Sequence, residues 1–306
     1  MGRGILALMV MFSAWQGPAM AEEEHGEGHE SLNPAKMPEA VTIHVPLLTA
    51  APTMDGQLSE WPGIGGKAVS VPIQPALESD PENHTGNLVV ELTTGVFGDR
   101  FYVAARWPDN APDTSFRPWH WRGDFYDQDK KQLDDVFAIR FQLSGDYDDC
   151  MLSKKDYRVD VWTWTAGRSM AAGLAEDRFH IISHKHLEDA ADFSSPYGTI
   201  YIADRLDAGD PIYTKIEHPP KEKQGDKIPS IALTGKASGS IQDVTARGEW
   251  KDGFWNLEMS RLLNTGHDDD ALLGQGKTIA AATAVFNHST EEHKSVSGTL
   301  NLVFPP

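Results

Sequence analysis

The chain has 306 residues, a formal net charge of −18 at pH 7 and a single cysteine, Cys150. A surface this acidic repels nucleic-acid phosphates and excludes that class of partner, while it suits electrostatic steering toward a basic protein. One cysteine cannot form an internal disulfide, even in a compartment that permits them.

In chain order, Arg3 supplies a short positive start and residues 5–15 form an apolar run too short to span a bilayer comfortably. Pro18-Ala19-Met20-Ala21 ends in the small-x-small pattern that signal peptidase cuts. The expectation is a signal peptide over 1–21, a periplasmic location and a mature chain of about 285 residues that starts at Glu22. No later apolar run approaches membrane length, so no membrane span is expected in the mature protein. Residues 22–40, with His25, His29 and several glutamates, read as a flexible acidic lead-in.

From residue 41 to 306 the pattern becomes strand-like and reads as one domain. Residues 88–92 and 101–107 predict two strands joined at Gly98-Asp99-Arg100. Over 136–143, Phe137, Ile139, Phe141 and Leu143 fall on one face, with Val136, Ala138, Arg140 and Gln142 on the other. Over 158–164, Asp160, Trp162 and Trp164 share one face, and Val159, Val161 and Thr163 the other. Further strands are predicted at 199–203, 244–250, 254–259, 278–286 and 299–304, with Asp252-Gly253 as a hairpin turn. Many short strands, turn residues between them, long loops and few short helices predict an all-β antiparallel sandwich. The polar stretch around 183–230, which contains Pro219-Pro220, reads as an inserted surface excursion.

Residues suited to chemistry are sparse. There is no Gly-x-Ser-x-Gly, no His-Glu-x-x-His and no phosphate-cradling glycine loop, so a non-catalytic protein is favoured over an enzyme. Asp134-Asp135, Asp148-Asp149 and Asp268-Asp269-Asp270 read as solvated turns in a chain this acidic, rather than as a general acid/base pair. His180, His184 and His186 have a spacing able to hold zinc or copper, with a plain surface loop as the alternative. Trp162 and Trp164 could be core aromatics, pack a cofactor or stack on a sugar.

Several motifs carry a resemblance. Met54-Asp55-Gly56-Gln57-Leu58-Ser59-Glu60-Trp61 resembles the opening of family 9 carbohydrate-binding-module-like sandwiches. Ala105-Arg106-Trp107-Pro108-Asp109, Leu133-Asp134-Asp135-Val136-Phe137, Cys150-Met151 and Val159-Asp160-Val161-Trp162-Thr163-Trp164-Thr165-Ala166-Gly167-Arg168 follow in order. Asp243-Val244-Thr245-Ala246-Arg247-Gly248-Glu249-Trp250, Arg261-Leu262-Leu263-Asn264-Thr265-Gly266 and Ala284-Val285-Phe286-Asn287 complete the series. The order is similar to the haem-binding domain of the ethylbenzene dehydrogenase γ-subunit family, which includes γ subunits of selenate, chlorate and dimethylsulfide molybdoenzymes.

The resemblance implies a non-covalent haem b, because no Cys-x-x-Cys-His motif is present. It implies an electron-transfer role beside a molybdoenzyme subunit or a membrane-linked cytochrome. It implies axial ligation by a methionine with a lysine or histidine. Met151 matches the family's methionine, with Met170 as the alternative. His293 is the expected second ligand, and Lys294, Lys251 and His288 are the alternatives. Trp162 and Trp164 would then adjoin the porphyrin. Two departures are Thr165, where many members have a basic residue, and the length of 183–230. The rival expectation is a haem-free carbohydrate-binding module.

Overall fold

The computed structural model describes residues 31–306, apart from 82, 236–237, 275 and 289–294. The expected signal peptide, and His25 and His29 of the lead-in, lie outside the described residues. Fourteen strands among the described residues form one hydrogen-bonded system, twelve of them along a single path and the first and last in chain order branching from it. They are β1 Val41–His44, β2 Ala68–Pro75, β3 Leu88–Phe97, β4 Arg100–Pro108, β5 Val136–Gly145, β6 Tyr157–Thr165, β7 Glu176–Ser183, β8 Ala191–Ser195, β9 Gly198–Leu206, β10 Thr245–Lys251, β11 Phe254–Leu262, β12 Thr278–Phe286, β13 Ser295–Val296 and β14 Leu300–Val303.

One layer runs β8-β9-β7-β6-β5-β12, with β13 and β14 beside β12 and β1 parallel to β14. The other runs β2-β3-β4-β11-β10. β13 also pairs with β2, Gln74 opposite Val296 and Pro75 opposite Ser295, which joins the layers at one edge. Apart from β1 with β14, the pairings are antiparallel, and the fold is the expected all-β sandwich.

Period-two alternation fixes which side chains enter the space between the layers. Phe137, Ile139 and Phe141 of β5 and Trp162 and Trp164 of β6 meet Phe101, Val103 and Trp107 of β4 and Trp255, Leu257 and Met259 of β11. The rings interlock: Trp107 stacks on Phe137 at 5.2 Å, Trp164 meets Trp255 edge-on at 5.0 Å, and Trp162 lies 4.9 Å from Phe141. Burying each such ring removes about 150–250 Å² from water, which favours the folded state.

The β10–β11 hairpin turns at Asp252 (φ 51°) and Gly253 (φ 81°). Two successive left-handed residues make the two-residue turn whose twist suits a hairpin, as Asp-Gly predicts. The stretch expected as one surface excursion divides. β8 and β9 extend the first layer, with Ile200 and Ile202 packing beside Ile182 on its outer face. Beyond them, Gly209–Asp210 pairs with Ser238–Gly239, and Tyr213–Lys215 pairs with Ile231–Leu233. No helix among the described residues is long and apolar enough to cross a membrane.

Candidate functional site

The loop between β5 and β6 folds back over the outer face of the first layer and carries Met151. Its anchor is Arg140, which points outward from β5. Arg140 Nη2 donates to the carbonyls of Asp148, at 3.2 Å, and Asp149. Asp149 in turn accepts from Thr299 N at 3.0 Å and Thr299 Oγ1 at 2.9 Å, and Tyr157 OH donates to the Cys150 carbonyl at 3.3 Å. Met151 and Cys150, both half-buried, pack against an apolar patch that contains Leu77, Tyr147, Leu152, Val159 and Val161. Burial pushes the Tyr147 phenol up to about 12 and raises the Cys150 thiol, so both stay protonated at neutral pH. Arg140 Nη1 is buried with no acceptor in hydrogen-bonding geometry among the described residues.

The other expected ligands are placed as follows. His293 and Lys294 lie outside the described residues. Ser295, which follows them, is opposite Pro75, and Leu77 two residues further on belongs to the Met151 patch. The described chain resumes at Ser295, which also pairs with Val285 opposite Phe137, toward the start of β5. His288 is held by the start of β5. Its backbone N–H donates to Asp135 Oδ1 at 3.1 Å and its ring lies 3.2 Å from Asp113. Lys251 ends β10 in the opposite layer, so the core separates it from Met151. Met170 sits in a short 3₁₀ turn, Met170–Ala172, and packs against the inter-layer core. Trp162 and Trp164 are fully buried in that core and face away from Met151.

The three histidines are not assembled. His180 pairs with Asp204 at 3.2 Å, His184 with Asp156 at 2.7 Å, and the His186 ring meets Tyr201 at 5.2 Å. Their proximity in sequence is lost because β7 ends at Ser183, and the two later histidines leave on the turn that follows. None of them belongs to a described cluster whose donor atoms could share one ion.

Over residues 60–297 the chain matches the family model described as ethylbenzene dehydrogenase. The chain belongs to the ethylbenzene dehydrogenase family. No curated protein matches it in sequence. Among solved structures it is similar to a carbohydrate-binding module of family 9 from Caldicellulosiruptor kristjanssonii in complex with cellotriose, at 9% identity and a TM-score of 0.37, over 88% of this chain and 95% of that one. It is also similar to a Bacteroides uniformis protein described as a candidate carbohydrate-binding protein, at 8% identity and a TM-score of 0.42, over 86% and 99%.

In this member of the ethylbenzene dehydrogenase family, motifs far apart in sequence are joined by buried polar contacts. The opening motif covers the outer face of the second layer. Trp61 Nε1 donates to Glu258 Oε1 at 2.8 Å, while the N–H groups of Asp55 and Gly56 donate to Glu258 Oε2 at 3.0 and 2.8 Å. Asp134 accepts from Gly167 N and the Arg168 guanidinium at 2.9 and 3.1 Å. Asp135 accepts from Asp113 N at 2.7 Å and Trp255 Nε1 at 3.0 Å, and burial pushes its carboxyl up to about 7. The reading of these acidic pairs as solvated turns is thus corrected: Asp134, Asp135 and Asp270 are all buried.

A further set of residues was missed in the sequence. Arg261 of β11 points inward, fully buried, and pairs with Asp160 at 2.7 Å, Asp177 at 3.1 Å and Asp270 at 2.8 Å. Its guanidinium lies 5.0 Å from the Trp162 ring. The available signal was Asp160, which alternation places on the same inward face as Trp162 and Trp164. A carboxylate there requires a buried cation.

Proposed function

We propose that this chain is an exported, periplasmic b-type haem protein that transfers electrons. It serves as a γ-like subunit of a molybdenum enzyme or as a free cytochrome, with a molybdoenzyme subunit or a membrane-linked cytochrome as redox partner. Membership of the ethylbenzene dehydrogenase family supports the class. The observation that carries the reading is Met151 itself, a half-buried thioether among apolar residues on the outer face of the first layer.

The residues present fit the group. Met151 offers a thioether, a soft axial donor that favours ferrous iron. Leu77, Tyr147, Leu152, Val159 and Val161 would supply apolar surface to a porphyrin, and Arg140, whose Nη1 is buried without an acceptor among the described residues, would pair a propionate, once the 146–156 loop gives way to the ring. His293 would supply the second donor more readily than Lys294, because a lysine amine must first lose its proton in a dry site. When bound, haem b supplies reversible one-electron transfer at its iron. The carbohydrate-binding alternative draws no support from Trp162 and Trp164, because a sugar platform needs aromatic faces at solvent and both are buried.

The test is the absorption spectrum of protein from haem-sufficient cells, oxidised and reduced. A Soret band with a low-spin reduced spectrum is expected. Met151→Ala should convert it to high spin, and either His293→Ala or Lys294→Ala should do the same. No Soret band and no hemin uptake on titration would overturn the proposal.

A further inference from the structure

Four buried carboxylates, Asp160, Asp177, Asp207 and Asp270, converge near one fully buried guanidinium, that of Arg261. Three of them reach it. The fourth, Asp207, lies just past the end of β9 and is 4% exposed, yet neither of its carboxylate oxygens meets a donor among the described residues. One oxygen of Asp160 is in the same state. A buried carboxylate without a partner is costly, and it is neutralised either by a proton or by a cation.

The geometry around Asp207 favours a cation. Asp207, Asp269 and Asp270 each place one oxygen within 4.8 Å of the other two. Oxygens that share a calcium ion at about 2.3–2.6 Å can stand up to about 5 Å apart. The donors are all hard oxygens, which suits calcium better than zinc or copper. Ser240 Oγ fixes the rim by donating to Asp269 Oδ1 at 3.1 Å. Beside it an open groove of about 610 Å³, lined by Ala208, Gly239, Ser240, His267 and Asp269 among others, gives an ion and its waters a route in.

We propose that Asp207, Asp269 and Asp270 form a calcium site at this end of the sandwich, one that does not depend on the haem reading. An ion there would compensate the charge that Arg261 leaves unmatched. It would also tie the end of β9 to the 265–271 loop, next to the buried Arg261 network.

Calcium chloride is titrated into the purified, chelator-stripped protein at pH 8 by calorimetry, and Tm is measured with calcium or with EDTA. One equivalent should bind, and a hundredfold excess over Kd should raise Tm by roughly 5–10 °C. Asp207→Asn should weaken binding at least tenfold and remove the Tm shift, without lowering Tm in EDTA, since a neutral amide replaces an unpaired carboxylate. Should that variant fail to fold, Asp269→Asn, at the half-buried rim, should show the same loss of binding. No heat and no Tm shift with calcium would overturn the proposal and leave a proton as the compensating charge. A shift that survives both substitutions, or an equal response to magnesium chloride, would overturn it too.

Discussion

Replacing Arg261 by methionine tests whether the inward-facing ion network holds the two layers together. Methionine keeps much of the side-chain volume against Trp162, so the change removes charge more than packing. It strands Asp160, Asp177 and Asp270, which lie 2.7, 3.1 and 2.8 Å from the guanidinium. Removing one partner of a buried ion pair costs about 3–5 kcal/mol, because the remaining charge is left uncompensated. For a domain of this size that loss is a fall in Tm of about 10 °C. The pH dependence gives a second handle. Burial raises all three carboxyls above their ordinary value despite the arginine, and Asp270 reaches about 6. A carboxyl with a raised folded value contributes stability that is complete below its unfolded value, near 4, and lost as pH rises through the folded one. Without Arg261 these folded values rise further, so the deficit should be larger at pH 8 than at pH 5. Thermal unfolding by circular dichroism, in EDTA at both pH values, measures it. A loss under about 1 kcal/mol at pH 8, or an equal loss at both, would refute the reasoning.

Two other substitutions and one titration test separate contacts. A Cβ on Gly248 would stand 2.3 Å from Trp164 Cζ2, so Gly248→Ala should cost about 1–3 kcal/mol, seen as a lower urea midpoint at unchanged slope. Glu258→Ala leaves Trp61 Nε1 and the Asp55 and Gly56 N–H groups without their acceptor, and should cost about 3 kcal/mol with faster amide exchange at residues 55 and 56. Burial raises the Asp135 carboxyl to about 7, so its contribution to stability should be complete below pH 4 and fade as pH rises through 7. Carbon-detected NMR should place its midpoint near 7, and a midpoint below 5 would show that the site is wetter than its burial implies.

Alternation made the layers legible. β12 runs over the predicted 278–286, and the inward faces of β5 and β6 are the ones the pattern assigns. Turn chemistry made the Asp252-Gly253 hairpin legible. β7 escaped notice because its pattern is charged. Asp177 faces inward to Arg261, while Glu176, Arg178 and His180 are held by ion pairs, so no apolar alternation marks the strand. Acidic pairs were misread for a related reason. Whether Asp135 or Asp270 is solvated depends on Trp255 and Arg261, partners that short-range patterns cannot bring together. Met151 stood out by resemblance, but its surroundings did not. Beyond its near neighbours Tyr147, Leu152, Tyr157 and Val159, its cluster draws on Ile182 of β7, Ile200 and Ile202 of β9, and Leu32 and Leu77, which are distant in sequence.

The filled core limits where a large planar ligand can sit. Trp107, Trp162, Trp164 and Trp255 are packed ring against ring between the layers, and protein interiors of this kind leave few gaps larger than a water molecule. A haem inserted there would have to displace several of these rings and the Arg261 network with them. At the outer face Met151, Cys150, Leu32 and Phe193 are only partly buried, although Leu77, Tyr147, Leu152, Val159 and Val161 are buried, so a haem there would displace loop residues and leave the ring-packed core and the Arg261 network in place. Trp162→Phe should therefore lower Tm through lost packing and leave the visible spectrum unchanged, whereas Met151→Ala should change the spectrum with little effect on Tm. A spectral change in Trp162→Phe as large as that in Met151→Ala would place the haem between the layers and overturn the outer-face assignment.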